Sequence, residues 1–194
     1  MQNRKGALEL SIGTIVVIVI GMSMLILGLV LVRTIFVGST DSVKTLNEGV
    51  MNEIVNLFDD DGGNLAIKLG TENVARVKPG NRFNVAIGAQ HRDGEPVQGD
   101  TLLYRIELDS DSTDNCLQKL GQSRTENLFV TPLNTWNDFD RFGGSNAFTL
   151  IEIDVPRGTE RCTQKVDVQI RINDETIPYG GDFFLLEVLK EGLI

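Results

Sequence analysis

Of the side chains that most often ligate metals or move protons at neutral pH, this 194-residue chain has very few: one histidine and two cysteines. His91 sits in the turn-like segment His91-Arg92-Asp93-Gly94 with no nucleophile motif beside it, and no ligand spacing surrounds Cys116 or Cys162. There is no Gly-x-Ser-x-Gly and no phosphate-binding glycine loop. The sequence therefore predicts no enzyme, no cofactor and no catalytic or metal-binding residue. Basic clusters are also lacking: 18 Lys and Arg stand against 27 Asp and Glu, a net charge of −9 at pH 7. An acidic chain without a basic stripe is a poor nucleic-acid binder, and the charge serves instead to keep an exposed surface soluble. No Asn-x-Ser/Thr sequon occurs, so N-glycosylation at that motif is not expected.

What the chain does have is an uninterrupted apolar run. From Ile12 to Val32 there is no charge. At ~1.5 Å per residue the run is long enough to cross a ~30 Å hydrocarbon layer. Arg4 and Lys5 precede it, which predicts a single pass with the N-terminus in the cytoplasm and the remainder outside. A secretory signal peptide has a shorter apolar region, of about 7–15 residues, and the only candidate cleavage site downstream is the weak Val37-Gly38-Ser39. A plain membrane anchor fits the length but gives Gly6 and Glu9 no role.

Arg4-Lys5-Gly6 before Ala7 resembles the class III leader of type IV pilins and archaellins, and Leu10-Ser11-Ile12-Gly13-Thr14-Ile15-Val16-Val17 is similar to the start of archaeal archaellins. The resemblance covers the first fifty residues or so. It implies cutting after Gly6 by a prepilin peptidase, a mature chain starting at Ala7, and assembly of copies into a surface filament by a platform protein and a cytoplasmic ATPase. Residues 1–6 would be the leader. Its loss removes Arg4 and Lys5 and takes the net charge from −9 to −11. One feature departs from bacterial pilins, whose fifth mature residue is glutamate: Glu9 would be the third and Ser11 the fifth. A carboxylate at the edge of an apolar run needs a partner, and in a filament the Ala7 amine of an adjacent copy is the nearest cation. Such a pair would set register between helices. The alternative is that Glu9 snorkels to the headgroups.

Within residues 7–37, Ala7, Thr14, Gly21 and Gly28 recur seven apart, with Ser11 on the same face. Small residues let helices approach closely in lipid, which reads as a bundling face; the alternative is that glycine is simply frequent in membrane helices, and the leader favours bundling. Arg33 marks the outer boundary. Residues 38–61 read as an amphipathic continuation with Val43, Leu46, Val50, Ile54, Leu57 and Phe58 on one face, after a kink or break at Gly38-Ser39-Thr40. Taken end to end, Leu8 to Phe58 would measure about 75 Å. Asp59-Asp60-Asp61-Gly62-Gly63 ends the helix.

Residues 62–194 change to a period of two. Phe83, Val85 and Ile87 alternate with Arg82, Asn84 and Ala86; Leu102, Tyr104, Ile106 and Leu108 with Leu103, Arg105 and Glu107; Val166, Val168, Ile170 and Ile172 with polar neighbours. Similar patterns cover Ile151–Val155 and Phe184–Val188, and shorter strands are expected near Leu65–Leu69, Val74–Val77 and Leu128–Val130. Turn signals at Lys78-Pro79-Gly80-Asn81, Asp93-Gly94, Pro156-Arg157-Gly158 and Tyr179-Gly180-Gly181 separate them. Seven or eight such strands predict an immunoglobulin-like sandwich, giving an α+β chain of one long helix and an all-β head. Cys116 and Cys162 are both in the part expected outside and read as one disulfide. Asp109, Asp111 and Asp114 fail the EF-hand template, as do Asp59 to Asp61, and are expected to be solvated turns. Thr131–Asn146 reads as a long loop whose Trp136, Phe139 and Phe142 form either an exposed patch or, the favoured reading, a plug for one end of the sandwich. The expected function is a structural subunit of a pilus-like or archaellum-like filament, serving adhesion or motility. The rival is a monomeric anchored protein whose head binds a ligand.

Overall fold

The computed structural model describes residues 5–37, 46–61, 63–69, 72–110, 115–173 and 175–190, with side chains except at 5–12, 31–37, 59–61 and 100. The chain divides into two compact units, Met1–Ser39 and Thr40–Ile194. The first contains one helix, α1 (Lys5–Val37). An apolar helix here is followed by a two-sheet β-sandwich, as the periodicities predict.

In the second unit, α2 (Glu48–Asp61) opens the head. Its start is set by Asn47, whose Oδ1 accepts from the Val50 backbone N–H at 3.0 Å. Of the segment 38–61 expected to be amphipathic helix, Glu48–Asp61 is helical; Leu46 and Asn47 lie before it, and Gly38 to Thr40 and Val43 lie outside the described residues.

The strands are β1 (Leu65–Lys68), β2 (Val74–Val77), β3 (Asn81–Gln90), β4 (Leu102–Leu108), β5 (Trp136–Asp138), β6 (Arg141–Gly143), β7 (Asn146–Val155), β8 (Cys162–Ile172) and β9 (Gly180–Val188). Two short helices, α3 (Cys116–Leu120) and α4 (Gln122–Glu126), lie between β4 and β5. One sheet has the order β1-β3-β7-β6 and the other β2-β9-β8-β4-β5. β2 runs parallel to β9, while the other strand pairs are antiparallel. The long β3–β7 ladder pairs Asn81 with Val155 through to Gln90 with Asn146. Pro79 and Gly80 make the turn into β3: Asn81 N–H donates to Lys78 O at 3.1 Å, and Gly80 has φ +85°, a conformation in which a Cβ is strained.

Between the sheets lie Phe83, Val85 and Ile87 of β3, Leu102, Tyr104 and Ile106 of β4, Ile151, Ile153 and Val155 of β7, Val166, Val168 and Ile170 of β8, and Phe184, Leu186 and Val188 of β9. These are the inward positions predicted from the alternation. The outward positions of β3 depart from it. Ala86 was expected to face water and is buried, because α2 covers this face with Ile54 and Phe58 against Ala66, Ala86 and Phe148. A Lys68–Glu53 ion pair also joins β1 to α2.

The region 109–146 also differs from the sequence reading. Leu128–Val130 is a single bridge, Phe129 to Ile153, lying on the β6 side of β7. The expected loop 131–146 contains β5 and β6, so the chain passes there from the edge of one sheet to the edge of the other. Phe139 drops into the core at the crossing, 5.0 Å from the Tyr104 ring. Phe142 packs partly buried beside it. Trp136 lies half-buried between Arg105 and Arg171, whose guanidinium carbons are 4.9 and 4.4 Å from its ring. The three aromatics therefore neither form an exposed patch nor act as one plug.

Candidate functional site

α1 is apolar on every side. Gly13–Val30 has a mean hydropathy of 2.6, and all of it is exposed. The span is about 27 Å long. This helix is long and apolar enough to cross a membrane or to serve as a signal sequence. Its one described serine is internally satisfied: Ser23 Oγ donates to Val19 O at 2.8 Å. Thr14, Gly21 and Gly28 all fall in α1. A Cβ built at Gly13, Gly21 or Gly28 meets nothing within 4 Å. Gly6, Ala7 and Glu9 lie in the first turns of the helix, but the Ala7 and Glu9 side chains and residues 1–4 lie outside the described residues.

On the head, Cys116 and Cys162 are disulfide-bonded with Cα atoms 4.9 Å apart. The bond joins the first residue of α3 to the first residue of β8. Asn115 caps α3 by accepting from Gln118 N–H at 2.8 Å, and Gln164 Nε2 donates to Asp109 O at 2.7 Å, so this corner is densely bonded. Asp109 pairs with Lys165 at 3.1 Å. Asp111 and Asp114, the rest of the acidic cluster, lie outside the described residues, as do the side chains of Asp59 to Asp61. Among the described residues no group of three or more His, Cys, Asp or Glu is placed to hold a metal ion. His91 is buried: its backbone N–H donates to Ser145 O at 2.9 Å and its Nδ1 accepts from the Asp93 backbone N–H at 3.3 Å.

A cleft lies at the disulfide corner. α3, α4 and the β7–β8 turn enclose about 360 Å³, lined by Lys119, Leu120, Arg124, Leu128, Arg157 and Glu160 among others. Sequence reasoning missed it because its residues come from segments some 40 positions apart. The signal that could have flagged it is the pairing of Cys116 with Cys162, which brings those segments together.

Burial pushes the Tyr104 hydroxyl up to about 12, with the Asp140 and Asp138 carboxylates adding to the shift and a Thr149 hydrogen bond opposing it. Tyr179 is also pushed up to about 12, by burial first; its hydroxyl donates to Gln90 O at 2.8 Å. Lys165 is raised by hydrogen bonds to Asp167 and Asp109. None of these groups faces the cleft or forms a catalytic pair.

No protein-family model matches the chain, and no curated protein matches it in sequence. Among solved structures, it is similar to SSP-19, an MSP-domain-like protein of Caenorhabditis elegans (10% identity, 61% of this chain and 95% of that one, TM-score 0.33). It is also similar to PapD-like domain 7 of human CEP192 (12% identity, 68% and 88%, TM-score 0.38). A family 123 glycoside hydrolase from Clostridium perfringens matches over 70% of this chain but only 25% of its own, at 14% identity and a TM-score of 0.33. At these TM-scores none of the three bears on what the chain does.

Proposed function

We propose that the chain is a structural subunit of a pilus-like or archaellum-like surface filament, with α1 in the filament core and the sandwich facing outward. The observation that carries this reading is α1 itself: its span Gly13–Val30 is apolar on every side and exposed, and Arg4-Lys5-Gly6 stands before it in the sequence. Such a helix has to be covered by lipid or by copies of itself. The head supports the reading in a coarser way. The orders β1-β3-β7-β6 and β2-β9-β8-β4-β5 correspond to A-B-E-D and to G-F-C-C′ with an added edge strand, the arrangement of an immunoglobulin-type sandwich. Its disulfide is not the inter-sheet bond of antibody domains, because Cys116 sits on α3. Disulfides persist in oxidising compartments, which fits a head outside the membrane. A prepilin peptidase, a platform protein and an ATPase are the partners this reading implies.

Electron microscopy of native surface filaments, with mass spectrometry of their subunit, tests the proposal. The mature chain is expected to begin at Ala7, and Gly6→Val to block cutting; a subunit that begins at Met1 or Thr40 overturns it. Glu9→Leu separates the two roles of that carboxylate. If Glu9 pairs with a neighbouring Ala7 amine, the variant is cut and inserted but assembles poorly, whereas normal filament number and length rule the pairing out.

A further inference from the structure

We infer that the cleft between α3–α4 and the β7–β8 turn binds a small organic anion, a carboxylate or phosphate ester carried on a body with an apolar face. Its volume of about 360 Å³ is in the range of small-molecule sites. Lys119, Arg124 and Arg157 stand around Leu120, Leu128 and Pro156, with Glu160 as the one acid of the lining. The cleft is thus cationic in a chain whose net charge is −9. Several other cations of the head are matched by acids: Arg76 by Glu72 and Glu187, Arg82 by Asp154, Arg92 by Asp93 and Glu175. Arg124 and Arg157 have no ion pair or side-chain hydrogen bond among the described residues. Two guanidiniums at one concave site, neither of them paired with an acid among the described residues, leave forked donors for an anion, and Leu120 and Pro156 offer a surface for its body.

The walls are also held in place. The disulfide ties α3 to β8, and Cys162 follows Glu160 by two residues. Lys119 Nζ donates to Arg161 O at 3.4 Å across the same gap. The far wall is a tight turn: Thr159 Oγ1 donates to Pro156 O at 2.7 Å, and Gly158 has φ +77°. A site fixed before its ligand arrives loses less freedom on binding. The lining comes from one chain, so its occupancy is measurable on the monomer.

The test uses the full-length chain in detergent micelles, with D-glucuronate and glucose 6-phosphate as organic anions, glucose as the body without charge, and inorganic phosphate as the charge without a body. Calorimetry and ligand-detected NMR should show at least one organic anion binding at about millimolar or tighter, with glucose and phosphate weaker. Arg124→Ala/Arg157→Ala should weaken it by about tenfold or more, the effect of losing a charged hydrogen bond, with the melting temperature unchanged because both side chains are exposed. Arg124→Lys/Arg157→Lys should restore part of the loss. Failure of both organic anions to bind overturns the inference. So does equal binding of glucose, equal binding of phosphate, or indifference to the alanine pair.

Discussion

Gly88→Ala tests whether α2 is seated on the sheet as described. Gly88 lies on β3 beneath the helix. A Cβ there would come within 2.4 Å of Ile54 Cγ2 and 3.1 Å of the Phe148 ring. The first distance is far inside contact range, and both neighbours are enclosed, Ile54 at 0% and Phe148 at 1% exposure. Neither can swing into solvent, so the helix must lift or the side chains must leave their rotamers. Overpacking of this kind costs about 1–3 kcal/mol. Replacing glycine in a strand returns roughly 0.5–1 kcal/mol of backbone entropy. The net expectation is a loss of about 1–2 kcal/mol, or roughly 2–8 °C in melting temperature for a chain of this size. Circular dichroism melting of the full chain in micelles reads it. The cycle with Ile54→Leu is decisive, because leucine lacks the γ2 methyl that Gly88→Ala meets. Ile54→Leu alone should cost under about 1.5 kcal/mol, and Gly88→Ala in that background should be close to neutral. Additive losses, or a stabilising Gly88→Ala on its own, would refute the packing argument.

Three further outcomes are expected. Cys116→Ser/Cys162→Ser opens a loop with a sequence separation of 46, which in the chain-entropy model is worth about 4 kcal/mol, so the head should melt well below the native chain; free thiols in the unreduced protein would contradict the bond. Tyr104, pushed up to about 12 by burial, keeps its proton in the folded state after the unfolded chain loses it. The Tyr104 contribution is therefore constant below about pH 10 and is lost as pH rises from there towards 12, by roughly 2–3 kcal/mol, with Tyr179 adding a loss in the same window; Tyr104→Phe should remove the Tyr104 share, with melts at pH 9 and 11.5 as the comparison. Arg171→Ala removes a cation from the face of Trp136, costs about 0.5–1 kcal/mol, and should shift the emission of the chain's sole tryptophan; an unchanged spectrum would contradict the stacking.

The strands were legible where alternation ran for five residues or more. Phe83 to Ile87, Leu102 to Ile106 and Val166 to Ile170 all point inward as their spacing requires. Legibility failed where elements are too short to show a period. β5 and β6 have three residues each, and α3 and α4 have five. Asn115 before Cys116 and Gly121 after Leu120 are the readable signs of α3, a cap and a stop, set beside a run of acidic residues. Ala86 shows a different failure. Alternation assumes that one face is wet, and a sheet covered on both faces breaks that assumption. The sign of a second cover lay in side-chain size rather than polarity: Ala66, Ala86 and Gly88 leave room for Ile54 and Phe58 to come down.

The same reasoning about size applies to α1, with a different result. On β3, small residues face a helix that fills the space they leave, so their smallness is used up within the head. On α1, the space around Gly13, Gly21 and Gly28 is open. Every described residue of the span is exposed, and its apolar side chains would form a surface far larger than water tolerates on a lone protein. Lipid can cover that surface without any small residue, since acyl chains adapt to any outline. A rigid neighbour cannot, and gains from each position where backbones draw together. Gly21 and Gly28, seven residues apart, would admit such a neighbour closely, which is what the proposed filament core would supply.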